Sequence, residues 1–191
     1  PIYATPGAMG SLLSKVPGTT ERACSLPVME PLRIGAVSIT SFPTSHDAPG
    51  SCGYRIDTAD GSIGLLTDSG FVTEAAADIL PGVDLAFLEA NHDVEALCSG
   101  PYPYYLKERI LGQTGHLCNE DAGRFAVVLA EAGASEIVLA HLSRENNTPA
   151  MALRAVSTAL SAAGLAPALS AAPRDSLSHP YCVSRRVACK K

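Results

Sequence analysis

The chain has 191 residues, 47% hydrophobic and 17% charged, with a formal charge of −5. That length suits one domain with a real core, and the acidic balance argues against a broad basic surface for nucleic acid. No run approaches the ~18 apolar residues of a membrane span, no signal peptide is visible, and six cysteines without a CxxC pair read as scattered thiols suited to a reducing cytosol.

Residues 1–30, punctuated by Gly7, Gly10, Pro17, Gly18 and Pro27, predict irregular chain with one short helix around Met9–Lys15. "PIYA" reads as the end of a buried strand, so a preceding segment is expected ahead of Pro1. From Leu32 the period becomes two, and "LRIGAVSITSF" alternates as a strand. Tyr54–Thr58 and Ser62–Thr67 flank Asp60-Gly61, the signature of a hairpin.

The remainder alternates helix and strand. Thr73 caps a helix through Ile79, "VDLAFLEAN" is a short apolar strand, and "DVEALCSG" and "YYLKERILG" are helical pieces split by Gly100 to Pro103. Asn119 is the expected N-cap of a helix that ends at Gly133 and turns Ala122, Phe125, Ala126 and Leu129 inward. "SEIVLAHLS" is a buried strand. Thr148 and Pro149 then open a helix whose core face is Ala152, Val156, Ala159, Leu160 and Ala163. Strands first, then βαβα: residues 1–191 read as one mixed α/β domain. The terminal "RRVACKK" holds four of the fourteen basic residues, as a solvated end or a phosphate contact.

Polar groups recur where strands end. His46, His92 and His141 follow strands, His116 precedes a helix, and Asp68 and Glu89 sit at strand ends. Such ends are where α/β proteins build sites, because the sheet fixes the backbone and the loops admit ligands. A single strand-end histidine is more often a hydrogen-bonded turn residue, and Asp68 before Ser69-Gly70 also fits an Asx-turn. Glu89 in an apolar strand is harder to dismiss, since a carboxylate buried without a partner costs several kcal/mol. Histidine with aspartate suits Zn²⁺ or Mn²⁺ rather than Ca²⁺.

"SHDAPGSCGYRI", "LLTDSG", "LEANHDVEAL", "GPYPYYLKERILGQTGHLCNEDAG" and "LAHLSRENNTP" together resemble the metallo-β-lactamase superfamily. The likeness is strongest to its YycJ/WalJ branch of exonucleases directed at single strands and related to RNase Z, and it covers Leu32 to Val183. It implies an αββα sandwich, N-terminally truncated, with this chain supplying the C-terminal two-thirds or so. It also implies two divalent metal ions, Zn²⁺ or Mn²⁺. By position His46, Asp68 and His141 match metal ligands, Asp68 the carboxylate shared by both ions. His116 matches the histidine that contacts the scissile phosphate or protonates the leaving oxygen, and Glu89 the acid that orients it. Asn91, His92 and Ser143 are assigned to substrate. The family's HxHxDH motif is absent from these residues. The expectation is therefore a cytoplasmic metal-dependent phosphodiester hydrolase, a 5′–3′ exonuclease on single-stranded DNA or RNA, weak or inactive as given. The alternatives are a small-molecule phosphodiesterase or thioesterase of the superfamily, or a metal-free binding relative.

Overall fold

A computed structural model describes residues 1–183. The basic stretch Arg185 to Lys191 lies outside the described residues. One seven-stranded sheet organises the chain: β3 (Pro31–Ile34), β4 (Val37–Pro43), β5 (Cys52–Asp57), β6 (Ser62–Leu66), β7 (Leu85–Glu89), β8 (Glu136–Ala140) and β9 (Ala168–Ala171). The strands lie side by side in sequence order, antiparallel from β3 to β6 and parallel from β6 to β9. Parallel neighbours need crossovers. These are α2 (Glu74–Ile79), then α3 (Val94–Ser99), α4 (Tyr104–Leu111) and α5 (Asn119–Glu131), and finally α6 (Pro149–Ala162). The mixed α/β architecture matches expectation, and among the described residues no helix is long and apolar enough to cross a membrane.

Five local readings change. The alternating run from Leu32 is a hairpin, in which Ile34 pairs with Val37 and Gly35 takes φ 60° to turn the chain. Alternation survives such a turn, which hides it from a periodicity argument. The first 30 residues hold more order than expected: β1 (Ile2–Ala4) pairs in parallel with β2 (Ala23–Ser25) around α1 (Pro6–Lys15). That helix starts earlier than predicted because Thr5 caps it and Pro6 fits its first turn. Asn119 is the first residue of α5 rather than its cap, its side chain drawn away to Asn147. Ala163, at the end of α6, is exposed rather than in the core.

One sheet face is dry. Phe42, Leu66, Leu88, Ile137 and Leu139 pack against Ala76 of α2, Phe125 and Leu129 of α5, and Val156 and Leu160 of α6. Gly123 lets α5 and α6 approach closely, since a Cβ there would lie 3.1 Å from that of Ala159. Truncating a filled position such as Leu129, fully enclosed, costs about 2–5 kcal/mol. The opposite face is also apolar but half-buried, with Ile39, Ile56, Ile63, Leu65 and Phe87 in alternate positions. Tyr181 meets Phe87 there edge-on, ring centroids 5.4 Å apart.

Strands β4, β6, β7 and β8 all run the same way, so their C-terminal ends share one edge of the sheet. Every polar residue singled out at a strand end therefore starts from that edge.

Candidate metal centre

Three loops interlock above this edge through their backbones. Ser45 Oγ donates to Gln113 O at 2.7 Å, Gly70 N to Ser45 O at 2.8 Å, and Ser45 N to Ser69 Oγ at 3.0 Å. The approach is tight enough to require glycine. A Cβ on Gly70 would fall 2.1 Å from Gln113 O, and one on Gly115 would fall 2.1 Å from Ile110 O.

Glu89 is the centre of the arrangement. It ends β7 with no exposed surface, and four donors meet its carboxylate. Oε1 accepts from His116 Nδ1 at 2.9 Å and from His141 Nδ1 at 2.7 Å. Oε2 accepts from Ser69 N at 3.0 Å and Leu117 N at 3.2 Å. Burial alone would push this carboxyl up. The bonds from His116, His141 and the Ser69 amide outweigh it and hold the pKa at about 2. The ionised carboxylate can only accept, so both imidazoles carry their proton on Nδ1 and keep Nε2 free. The Glu89 bond also raises the pKa of His141, against the opposing effect of its burial.

His46 is set the same way by a different acceptor, its Nδ1 donating to Gly115 O at 3.0 Å. Its Nε2 lies 3.7 Å from Asp68 Oδ1, and His141 Nε2 lies 3.7 Å from the same oxygen. The His116 ring sits between the other two, with centroids 4.9 Å from His46 and 5.1 Å from His141. Asp68 and His141 both adopt φ 56°, the left-handed region that side chains avoid. Asn91 Nδ2 steadies the second of these turns by donating to His141 O at 2.8 Å.

This donor set fits a metal ion. Two ligands 2.0–2.2 Å from one tetrahedral ion stand about 3.3–3.6 Å apart, close to the two separations at Asp68. Each ring also presents Nε2 while its Nδ1–H is anchored on a carboxylate or carbonyl, the usual outer support of a ligating histidine. Potential ligand atoms of His46, Asp68 and His116 lie within 4.8 Å of one another, as do those of Glu89, His116 and His141.

His46, Asp68, Glu89, His116 and His141 thus come together. The residues assigned to substrate do not join them equally. Asn91 spends its amide on the His141 backbone, and Ser143 Oγ accepts from the Asn146 amide at 3.2 Å. His92 is 1% exposed, and neither ring nitrogen finds a partner among the described residues. That burial pushes its imidazole down to about 4.

Sequence reasoning missed three contributors. Ser69 donates its amide to Glu89 and accepts from Ser45, but a serine beside glycine reads as turn. Asn147, in a polar stretch, donates to Ala90 O at 2.8 Å and to Asn119 Oδ1 at 2.8 Å, joining the loop after β8 to the start of α5. Arg109 donates from Nε to Asp47 Oδ2 at 2.6 Å, and Asp47 Oδ1 is 3.5 Å from His46 Nε2. Helical spacing gave no hint of that contact, because its partner is 62 residues away.

Comparison with known proteins adds relatives to this geometry. The Beta-lactamase superfamily domain matches residues 1–142. The chain is 35% identical over 167 residues to Exodeoxyribonuclease YycJ of Bacillus anthracis, covering 86% of this chain and 62% of the relative. It is 44% identical over 118 residues to Exodeoxyribonuclease WalJ of Streptococcus pneumoniae, covering 62% of this chain and 44% of that protein. The chain thus spans less than two thirds of the length of either. Among solved structures, the metallo-beta-lactamase fold protein YhfI from Bacillus subtilis superposes with a TM-score of 0.66 at 22% identity, over 90% of this chain and 61% of that one.

Proposed function

The chain belongs to the β-lactamase superfamily, and we propose that it is the metal-binding and acid–base part of a phosphodiester hydrolase, an exonuclease acting on single-stranded DNA. Residues 1–191 are read as one domain of that enzyme. The observation that carries this reading is the shared oxygen: His46 Nε2 and His141 Nε2 each lie 3.7 Å from Asp68 Oδ1, with both Nδ1 atoms already anchored. The likeness to two bacterial exodeoxyribonucleases, YycJ and WalJ, supports the deoxyribonucleic substrate and the exonuclease mode.

His46, Asp68 and His141 would hold divalent ions, Zn²⁺ or Mn²⁺. Such ions acidify water and neutralise phosphate oxygens. The protein's own residues do the rest. Glu89, negative and fully enclosed, accepts from His116 Nδ1 and fixes its ring, which aims Nε2 at a phosphate oxygen or the leaving group. By holding His141 through the same Oε1, Glu89 keeps a ligand and the acid in register. Asn91 fixes the turn that aims His141. His46, His116 and His141 are 12%, 18% and 43% exposed, so the cluster faces solvent from which a strand can enter. Cys24, Cys52, Cys98, Cys118 and Cys182 are free thiols, which supports placing the protein in the reducing cytoplasm.

The test is a time course on an end-labelled single-stranded oligonucleotide, with a longer form that carries HxHxDH loaded with Zn²⁺ or Mn²⁺ and then treated with chelator; residues 1–191 alone should cleave weakly or not at all. Stepwise shortening from one end, lost on chelation, is expected. Turnover of small esters with none of the oligonucleotide would overturn the nuclease reading in favour of a small-molecule hydrolase.

A further inference from the structure

Two tyrosines on α4 are left out of the packing, with Tyr104 75% exposed and Tyr105 72% exposed. One exposed aromatic is ordinary. Two in succession on a firmly held element are not, because rings of this size otherwise contribute strongly to burial. The element is firmly held. Pro101 and Pro103 restrict the chain entering α4, Lys107 Nζ donates to Cys98 O at 2.7 Å, and Ile110 packs inward at 9% exposure.

The same helix leads to the metal-binding cluster. Beyond its C-terminal end, Gln113 O and Gly115 O accept from Ser45 and His46, and His116 follows at once. Arg109 reaches Asp47 beside the His46 ring. Tyr105 stands one turn before Arg109, about 6 Å along the axis and on the same helical face. The helix is therefore a spoke, with its tyrosines at the outer end and the cluster at the inner one. Among the described residues the Arg109 guanidinium is bonded to Asp47 through Nε, which leaves its Nη groups for a phosphate.

We propose that Tyr104 and Tyr105 form a stacking platform for the bases of a single strand whose reacting phosphate lies at the His46–Asp68–His141 cluster, with Arg109 contacting the backbone between them. This rests on the phosphodiesterase reading above and adds where the strand runs. A net charge of −5 argues against a broad basic surface for a polyanion. Stacking supplies the missing affinity, and since every base has a π-face it does so without sequence preference. An exonuclease that shortens any strand needs that tolerance.

The platform is tested by fluorescence anisotropy with two labelled strands of equal length and charge, one normal and one abasic, in chelator so that neither is cut. The Tyr104→Ala/Tyr105→Ala double variant should weaken binding of the normal strand about 5–100-fold and alter abasic binding less than about twofold. In a metal-loaded form that carries HxHxDH, turnover of bis(p-nitrophenyl) phosphate by the variant should equal that of the parent. The chain has no tryptophan, so Tyr105→Trp supplies a unique reporter whose emission the normal strand should quench and the abasic strand should not. Unchanged normal-strand binding in the double variant overturns the platform. So does a change confined to its sedimenting mass, which would assign the tyrosines to a protein contact. Failure of the phosphodiesterase reading looks different: a metal-loaded parent that carries HxHxDH then cleaves neither the oligonucleotide nor the small diester.

Discussion

Asp68 and His141 share one backbone conformation, each a non-glycine residue at φ 56°, and their side chains face each other at 3.7 Å. They leave β6 and β8, the strands on either side of β7. The left-handed turn carries each side chain off the line of its strand and over the sheet edge. Strain of this kind costs roughly 1–3 kcal/mol and persists where surrounding structure fixes it.

That strain predicts an asymmetry between two removals of the same carboxylate. Asp68→Gly should be more stable than Asp68→Ala by about 1 kcal/mol, since glycine alone takes φ 56° without penalty. Both should lose metal. Thermal unfolding beside metal analysis checks this, and equal melting temperatures would remove the strain argument.

Acid should strike through Glu89. Its folded pKa of about 2 lies below the ordinary 4.5, so its contribution is complete above pH 4.5 and disappears as the pH falls toward 2. For a fully enclosed group the difference is on the order of 3 kcal/mol. Urea unfolding between pH 6 and pH 3 should show this loss, and Glu89→Gln should flatten it. His141 has the opposite sign: its raised pKa stabilises below 6.5, and that part fades as the pH climbs through the folded value.

His116→Ala should separate chemistry from metal binding. With its Nδ1 on Glu89 and its ring between the other two, it is assigned to substrate. In a longer form that carries HxHxDH, its loss should leave metal content nearly intact and lower oligonucleotide turnover about 10²–10⁴-fold. Asp68→Ala should cost both. If His116→Ala releases the metal as well, that histidine is a ligand and the assignment fails.

Gly115→Ala tests the backbone lock. The new Cβ would meet Ile110 O at 2.1 Å and Arg109 O at 2.4 Å, so the segment between α4 and His116 has to move. Because Gly115 O fixes His46, metal affinity should fall by about 10–100-fold, along with about 1–3 kcal/mol of stability. Gly10→Ala is the control. It lies in α1 with nothing within 4 Å and should stabilise by up to about 1 kcal/mol.

The sequence made some of this legible and hid the rest for identifiable reasons. Helices α2 and α6 were readable from Thr73, Thr148 and Pro149 because a cap is a local event, satisfied within one turn. The apolar stripe of α5 was readable, but its cap was not, since Asn119 had a competing partner 28 residues away in Asn147. The convergence of Asp68, Glu89 and His141 could be guessed from their shared position at strand ends. That one oxygen of Glu89 serves two histidines could not, for it depends on three loops meeting. "PIYA" pointed to β1, whereas β2 and β9 escaped because three or four residues at a sheet margin carry little period.

The strand order has a kinetic consequence. From β4 to β9 each strand lies beside its predecessor in the chain, so the sheet can grow by accretion, every new strand closing a loop onto the one just laid down. Loop closure of that kind costs less entropy than a pairing between distant strands. On a ribosome the antiparallel half can settle while the parallel half is still being made. Asp68, Glu89 and His141 are then installed in that order, the last after β8 docks. An ion site that needs all three residues would then be complete only once the sheet is nearly finished.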